Sequence, residues 1–279
     1  MYNRRRYNFT FTMNTKQQQG IELIKEFLLE NQRLLQNGQT ELMRDCYIDF
    51  CKNFEKLVPV IVRSPIPKTF NQPVIIAVNH LHTPWIFQIK DVEFLALLGL
   101  KLVDFWYDAY LPTMVRHYPA VNLAKKLGLF PQVVSGQQPA ILNEFVHQWH
   151  HVVVPPPEQP NKTQYLIEQI DQLTHPQYGL IIFPEGRDTG GHLYEYHYYM
   201  YPFRTGTAVI AHKLGLPILP VSLAFDTENL NYFMHVGDLI KVDTIQELSA
   251  RDLTSRLQST IIDGITQALP RVRVTLIEE

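Results

Sequence analysis

Apolar and polar positions along the chain divide it into an amphipathic front and an alternating main body. Over 15–37, Ile21, Ile24, Phe27, Leu28 and Leu35 recur near helical spacing, and after "QNGQT" a second helical pattern runs over 40–57. A helical hairpin is therefore expected, with an N-terminal helical extension over 1–60 and an α/β domain over 61–279. "RSPIPKTFNQP" leads into "VIIAV" at 74–78, which reads as a buried strand. Short apolar runs then alternate with helical stretches: "LKLVDFW", a helix over 111–127, "VVV" at 152–154, a helix over 163–173, "GLIIF" and "PILPVSLAF". That rhythm predicts an α/β fold with a largely parallel central sheet flanked by helices. Near the end, Leu253, Leu257, Ile261, Ile265 and Leu269 line one helical face, Pro270 stops it, and Thr244 with Glu247 reads as its capping box. "RVRVTLI" alternates and predicts a final strand.

Composition narrows the function classes. With 46% hydrophobic and 19% charged residues the chain is in the globular range, and a formal charge of -2 argues against nucleic acid as the main partner. Cys46 and Cys51 suit neither a disulfide framework nor a zinc knuckle, so a reducing cytoplasm is expected. The longest apolar candidate, "FLALLGLKLVDFW", is broken by Lys101 and Asp104, and "MYNRRRYNFTFT" has no apolar signal-type core. Any membrane contact is thus expected to be peripheral. "PPPEQP" reads as a stiff loop, and the three arginines at 4–6 as a solvated run that could touch anionic lipid.

Chemistry gathers at two strand exits. "VIIAV" runs into Asn79, His80 and His82, and "GLIIF" runs into "PEGRDTGG", with Glu185, Arg187 and Asp188 among glycines. In open parallel sheets the ligand crevice forms beyond the carboxyl ends of the strands. A histidine there can take a proton near neutral pH, glycines permit close backbone approach, and an arginine fork can hold a phosphate or carboxylate. Each motif alone has an ordinary reading, as a hydrogen-bonded structural histidine or a turn. "HQWHH" at 147–151 lacks neighbouring cysteine or acidic ligands and no H-E-x-x-H pattern occurs, so no metal is expected. The tyrosine-dense stretch "HLYEYHYYMYP" reads as a loop covering the sheet, with an amphipathic lipid-facing rim as the alternative.

Taken together, "VNH" at 78–80, "IIFPEGR" at 181–187, "PFRTGTA" at 202–208 and "GLPILPVSL" at 215–223 resemble the ordered blocks of the glycerolipid (lysophosphatidic acid, PlsC-like) acyltransferases. The likeness runs from about residue 60 to residue 270. It implies transfer of a fatty acyl group from a thioester, acyl-CoA or acyl carrier protein (acyl-ACP), to a hydroxyl of a lipid or alcohol acceptor. No bound cofactor, metal or covalent intermediate is implied. His80 would be the general base, with His82 as a candidate assistant, and Glu185, Gly186, Arg187 and Arg204 would bind the acceptor. No G-x-S-x-G elbow is present.

Three departures set the alternatives. The family's Asp, five residues after the histidine, is Trp85 here, and His82, Asp91, Asp104, Asp108 or a backbone carbonyl would have to orient the ring instead. Loss of such a carboxylate costs a serine-protease triad about 10⁴ in turnover. The middle block, "KKLGLFPQVVSG", has no arginine, and Arg187 is followed by Asp188 where the family commonly has Thr then Arg. The rival readings are a catalytically silent lipid- or acyl-binding relative and a thioesterase or esterase.

Overall fold

The computed structural model describes residues 15–82, 92–98, 111–136, 140–155, 159–173, 175–186, 191–194 and 196–277. The predicted "LKLVDFW" strand lies outside them. The amphipathic front folds as α1 (Thr15–Gln36) and α2 (Met43–Leu57), joined through a 3₁₀ turn at Thr40–Leu42. Their apolar faces close on each other and on the main domain. Trp149, just past α5 (Ala140–Gln148), stacks on Tyr47 at 4.9 Å and donates its indole N–H to Asn31 Oδ1 at 2.8 Å.

A seven-stranded sheet forms the centre, in the order β1 (Val60–Val62), β10 (Asn231–Val236), β9 (Ile218–Asp226), β2 (Val74–Val78), β6 (Tyr178–Ile182), β4 (Phe130–Ser135), β5 (Val152–Val153). From β9 to β5 all pairings are parallel, while β10 runs antiparallel to β9 and carries β1 parallel at the edge. Every residue of β2 and β9 is buried, which is why both are continuous apolar runs rather than alternating ones. α4 (Leu111–Lys126) packs on β2, β4 and β6; α7 (Gly206–Leu214) packs on α6 (Lys162–Asp171) and on α9 (Ala250–Ala268), which covers β9 and β10. No helix among the described residues is long and apolar enough to cross a membrane.

Two expectations are corrected. "HLYEYHYYMYP" is not a loop but a hairpin, β7 (Gly191–Tyr194) and β8 (His197–Met200), in a second sheet of order β11-β8-β7-β3, with β3 at Leu81–His82 and β11 at Arg273–Leu276. Tyr198 and Met200 are buried while Tyr199 is exposed, the two-residue period of a half-buried strand. The proposed capping box is also not a cap. Thr244 and Glu247 lie inside a separate short helix, α8 (Val242–Glu247); Leu248 is extended, and Ser249 caps α9 by accepting from the Asp252 N–H at 3.1 Å.

α9 sits close on the sheet because Gly264 has no side chain. A Cβ there would run into Ser222 Oγ, which donates to the Ile261 carbonyl at 2.8 Å. Overpacking of this kind costs typically about 1–3 kcal/mol, against a helix-propensity gain of about 1 kcal/mol. Gly264→Ala is therefore expected to lower the urea midpoint; a midpoint at or above that of the parent would mean that α9 can lift off β9 without loss.

Candidate active site

The site begins where β2 ends. Asn79 spans to the neighbouring strand, donating from Nδ2 to the Leu223 carbonyl at 2.9 Å and accepting from the Leu223 N–H at 2.6 Å, and it is buried. That amide clamp fixes the backbone from which His80 projects. The His80 backbone N–H then donates to Glu185 Oε1 at 2.7 Å, a bond joining two strand exits 105 residues apart. The two strand exits thus lie side by side, since β2 and β6 are direct neighbours.

Glu185 is fully buried and bound from three sides. Besides His80 N–H, Oε1 accepts the Tyr198 hydroxyl at 2.8 Å, and Oε2 accepts the Tyr201 N–H at 3.2 Å. Burial pushes its carboxyl up to about 7, while the three donors and the nearby Arg116 pull the other way. Its oxygens are directed at the chain's own donors, so its evident work is to hold the His80 backbone against β8. Gly186 follows at φ +59°, closing a turn in which its N–H donates to the Phe183 carbonyl at 3.0 Å. A Cβ on Gly186 would sit 2.9 Å from Arg204 Cδ, because the exposed Arg204 side chain lies across this glycine. Arg204 is fixed there by its own N–H donating to the Pro184 carbonyl at 2.9 Å. His80, Glu185, Gly186 and Arg204 are therefore gathered in one region. Arg187, Trp85, Asp91, Asp104, Asp108 and the side chain of His82 lie outside the described residues; the backbone of His82 pairs with His192 in the second sheet.

Sequence reasoning missed Arg116. From α4 its Nη1 lies 2.9 Å from His80 Nε2, with both residues buried. Burial lowers its guanidinium to about 10, opposed by Tyr232, Tyr198 and Glu185. A signal for it exists in the sequence. Arg116 is the one Arg, Lys, Asp or Glu of α4 before Lys125, in a stretch, 116–124, that is buried throughout, and a charge so placed is rarely without a partner.

Behind Arg116 lies a row of rings. Phe183 packs on His80 at 4.8 Å and on His117 at 5.2 Å, and His117 faces His151 at 5.8 Å. His151 Nδ1 bonds Ser135 Oγ at 2.8 Å, and burial pushes its ring down to about 3. His117 is likewise driven well below the ordinary imidazole range by burial, with His151, His80 and Arg116 adding to it. His117 and His151 are therefore neutral packing groups. The "HQWHH" histidines diverge, His147 and His150 outward and His151 inward, and no group of three or more metal-binding side chains occurs among the described residues.

Comparison with known proteins bears on one segment of the chain and on its fold. Residues 133–224 match the family model "Acyltransferase", a span that holds Glu185, Gly186 and Arg204 but begins after His80. No curated protein matches the chain. Among solved structures it is similar to the 1-acyl-sn-glycerophosphate (LPA) acyltransferase PlsC from Thermotoga maritima, at 13% identity and a TM-score of 0.51, over 90% of this chain and 97% of that one.

Proposed function

We propose that this chain, PlsC-like in its fold and carrying an acyltransferase-family segment, moves a fatty acyl group from an acyl thioester to a hydroxyl of a lipid or alcohol acceptor. The observation that carries the reading is the 2.7 Å bond from His80 N–H to Glu185, which joins in one buried corner the two blocks that resemble the family's. His80 would take the hydroxyl proton on Nε2 as the oxygen attacks the thioester carbon; collapse of the tetrahedral intermediate would expel the thiol, which recovers that proton. Arg204, exposed and laid across Gly186, supports an acceptor site on the "FPEG" side, with Glu185 and Gly186 shaping it. The donor would be acyl-CoA or acyl-ACP, met in the cytoplasm or at a membrane surface.

One observation favours a second reading, a silent binder of acyl thioester: Arg116 occupies the atom a base needs free. The test is purified protein with radiolabelled palmitoyl-CoA and, in parallel, lysophosphatidate, glycerol 3-phosphate and hexadecanol, with released thiol and acylated product both counted. Equal thiol and product is the expected result. Thiol without acylated acceptor would indicate a hydrolase, and bound donor without thiol release the silent binder.

A further inference from the structure

We propose that Arg116 is a latch on His80, holding the ring in a form that cannot accept a proton until an anionic group of the substrate draws the guanidinium away. The inference rests on the acyl-transfer reading above for its consequence, but not for its geometry. A guanidinium is donor-only, so at 2.9 Å Arg116 Nη1 donates and His80 Nε2 accepts. The Nε2 lone pair is thereby engaged, and the neutral ring carries its proton on Nδ1. A ring so held has no atom left to receive a proton from a hydroxyl. The usual family device, a carboxylate on the opposite nitrogen, leaves Nε2 open; the contact here engages Nε2.

What opens the latch follows from what an arginine prefers. A neutral imidazole is a single acceptor, whereas a phosphate or carboxylate offers a charge-assisted and bidentate partner, roughly twice as strong per bond. The helix need not move for the exchange. α4 is pinned two residues on by the Tyr118 hydroxyl donating to the Val58 carbonyl at 2.5 Å, and then by Asn122 Nδ2 donating to the Cys51 carbonyl at 3.0 Å, so the exchange would fall to the Arg116 side chain. Once Arg116 has turned to the anion, the acceptor hydroxyl gives its proton to Nε2, the new C–O bond forms and the C–S bond breaks. The imidazolium then returns the proton to the departing sulfur. Arg116 thereby acts as a positioning residue that makes the base conditional on an anionic acceptor, in a chain whose middle block lacks the family's arginine.

The decisive measurement is the tautomer of His80 by ¹⁵N NMR of histidine-labelled protein, assigned with His80→Gln, for wild type, Arg116→Met and Arg116→Lys. In wild type alone Nε2 is expected to be unprotonated and Nδ1 protonated, with Nε2 becoming able to take a proton when glycerol 3-phosphate or lysophosphatidate is added. Arg116→Met is expected to make Nε2 titrate without any anion and to raise acylation of hexadecanol relative to lysophosphatidate at least tenfold; Arg116→Lys keeps a buried cation and should preserve the anion dependence. A proton on Nε2 in anion-free wild type, or an unchanged tautomer in Arg116→Met, overturns the latch. Because the NMR readout needs no turnover, an inactive protein would sink the acyl-transfer reading while leaving the tautomer result to stand or fall alone.

Discussion

His80→Ala is expected to abolish acyl transfer, lowering kcat by about 10²–10⁴-fold, the usual worth of a positioned general base. The loss should fall on kcat with little change in the KM for donor, because in the proposed reaction the imidazole acts on the hydroxyl proton rather than on thioester binding. The backbone at residue 80 is held independently of the ring, through the Glu185 bond and the Asn79 clamp, so the strand exit should survive the substitution. Some stability will be lost, since Arg116 gives up its imidazole partner in a buried place. Activity assays paired with circular dichroism separate the two effects: folded protein with full turnover would remove His80 from the chemistry altogether.

The second large effect is the pH dependence of stability carried by Glu185. Its carboxyl lies at about 7 in the fold against an ordinary 4.5, so the folded state keeps a proton that the unfolded chain releases. Stability from this group is complete below pH 4.5 and declines as pH rises toward 7, by roughly 3 kcal/mol in all. The buried histidines work in the opposite sense. His151 at about 3 against an ordinary 6.5, together with His117, refuses protons that the unfolded chain would bind, so their contribution is lost as pH falls below 6.5. Two rings outweigh one carboxyl in acid, and a maximum near neutrality is expected. Glu185→Gln removes only the carboxyl's share, so its stability relative to wild type should improve by about 2–3 kcal/mol between pH 5 and pH 8, whatever constant offset its altered hydrogen bonding adds. Urea unfolding of both proteins at the two pH values measures this; parallel profiles would mean that Glu185 ionises as an ordinary carboxylate. Glu185→Ala should be far worse at every pH, because it strands the His80 and Tyr201 N–H groups and the Tyr198 hydroxyl.

The parts of the fold legible in the sequence were those in which burial imposes a local rhythm. β2, β6 and β9 are unbroken apolar runs because both their faces are covered, and α1, α2 and α9 repeat at helical spacing because one face is. β10, "NYFMHV", and the short edge strand β1 escaped notice because an edge pair needs no long apolar run. The β7–β8 hairpin was hidden by composition, since alternating tyrosines and histidines blur the contrast between inward and outward positions. The site shows the same division. His80 and Glu185 could be picked out because each follows a buried strand, but their bond could not, since nothing local reports which strands become neighbours. Arg116 was legible only as a lone charge in a helix with no other before Lys125; its partner lies 36 residues earlier, and only the packing of α4 on β2 brings them together.

The pairing of β11 with β8 has a consequence for how the protein comes to be made. Arg273–Leu276 pairs in parallel with His197–Met200, the strand that seats Tyr198 against Glu185. A nascent chain that has emerged only as far as α9 thus holds His80, Arg116, Glu185 and Tyr198, yet lacks the strand that borders β8. β1 must likewise wait for β10, whose Tyr232 pairs with Val60. With both edges closed by such distant partners, folding should be slow for the chain's size, as high contact order dictates. On that schedule β8 would gain its bordering strand only once β11 has emerged, after His80, Arg116, Glu185 and Tyr198 have all been synthesised.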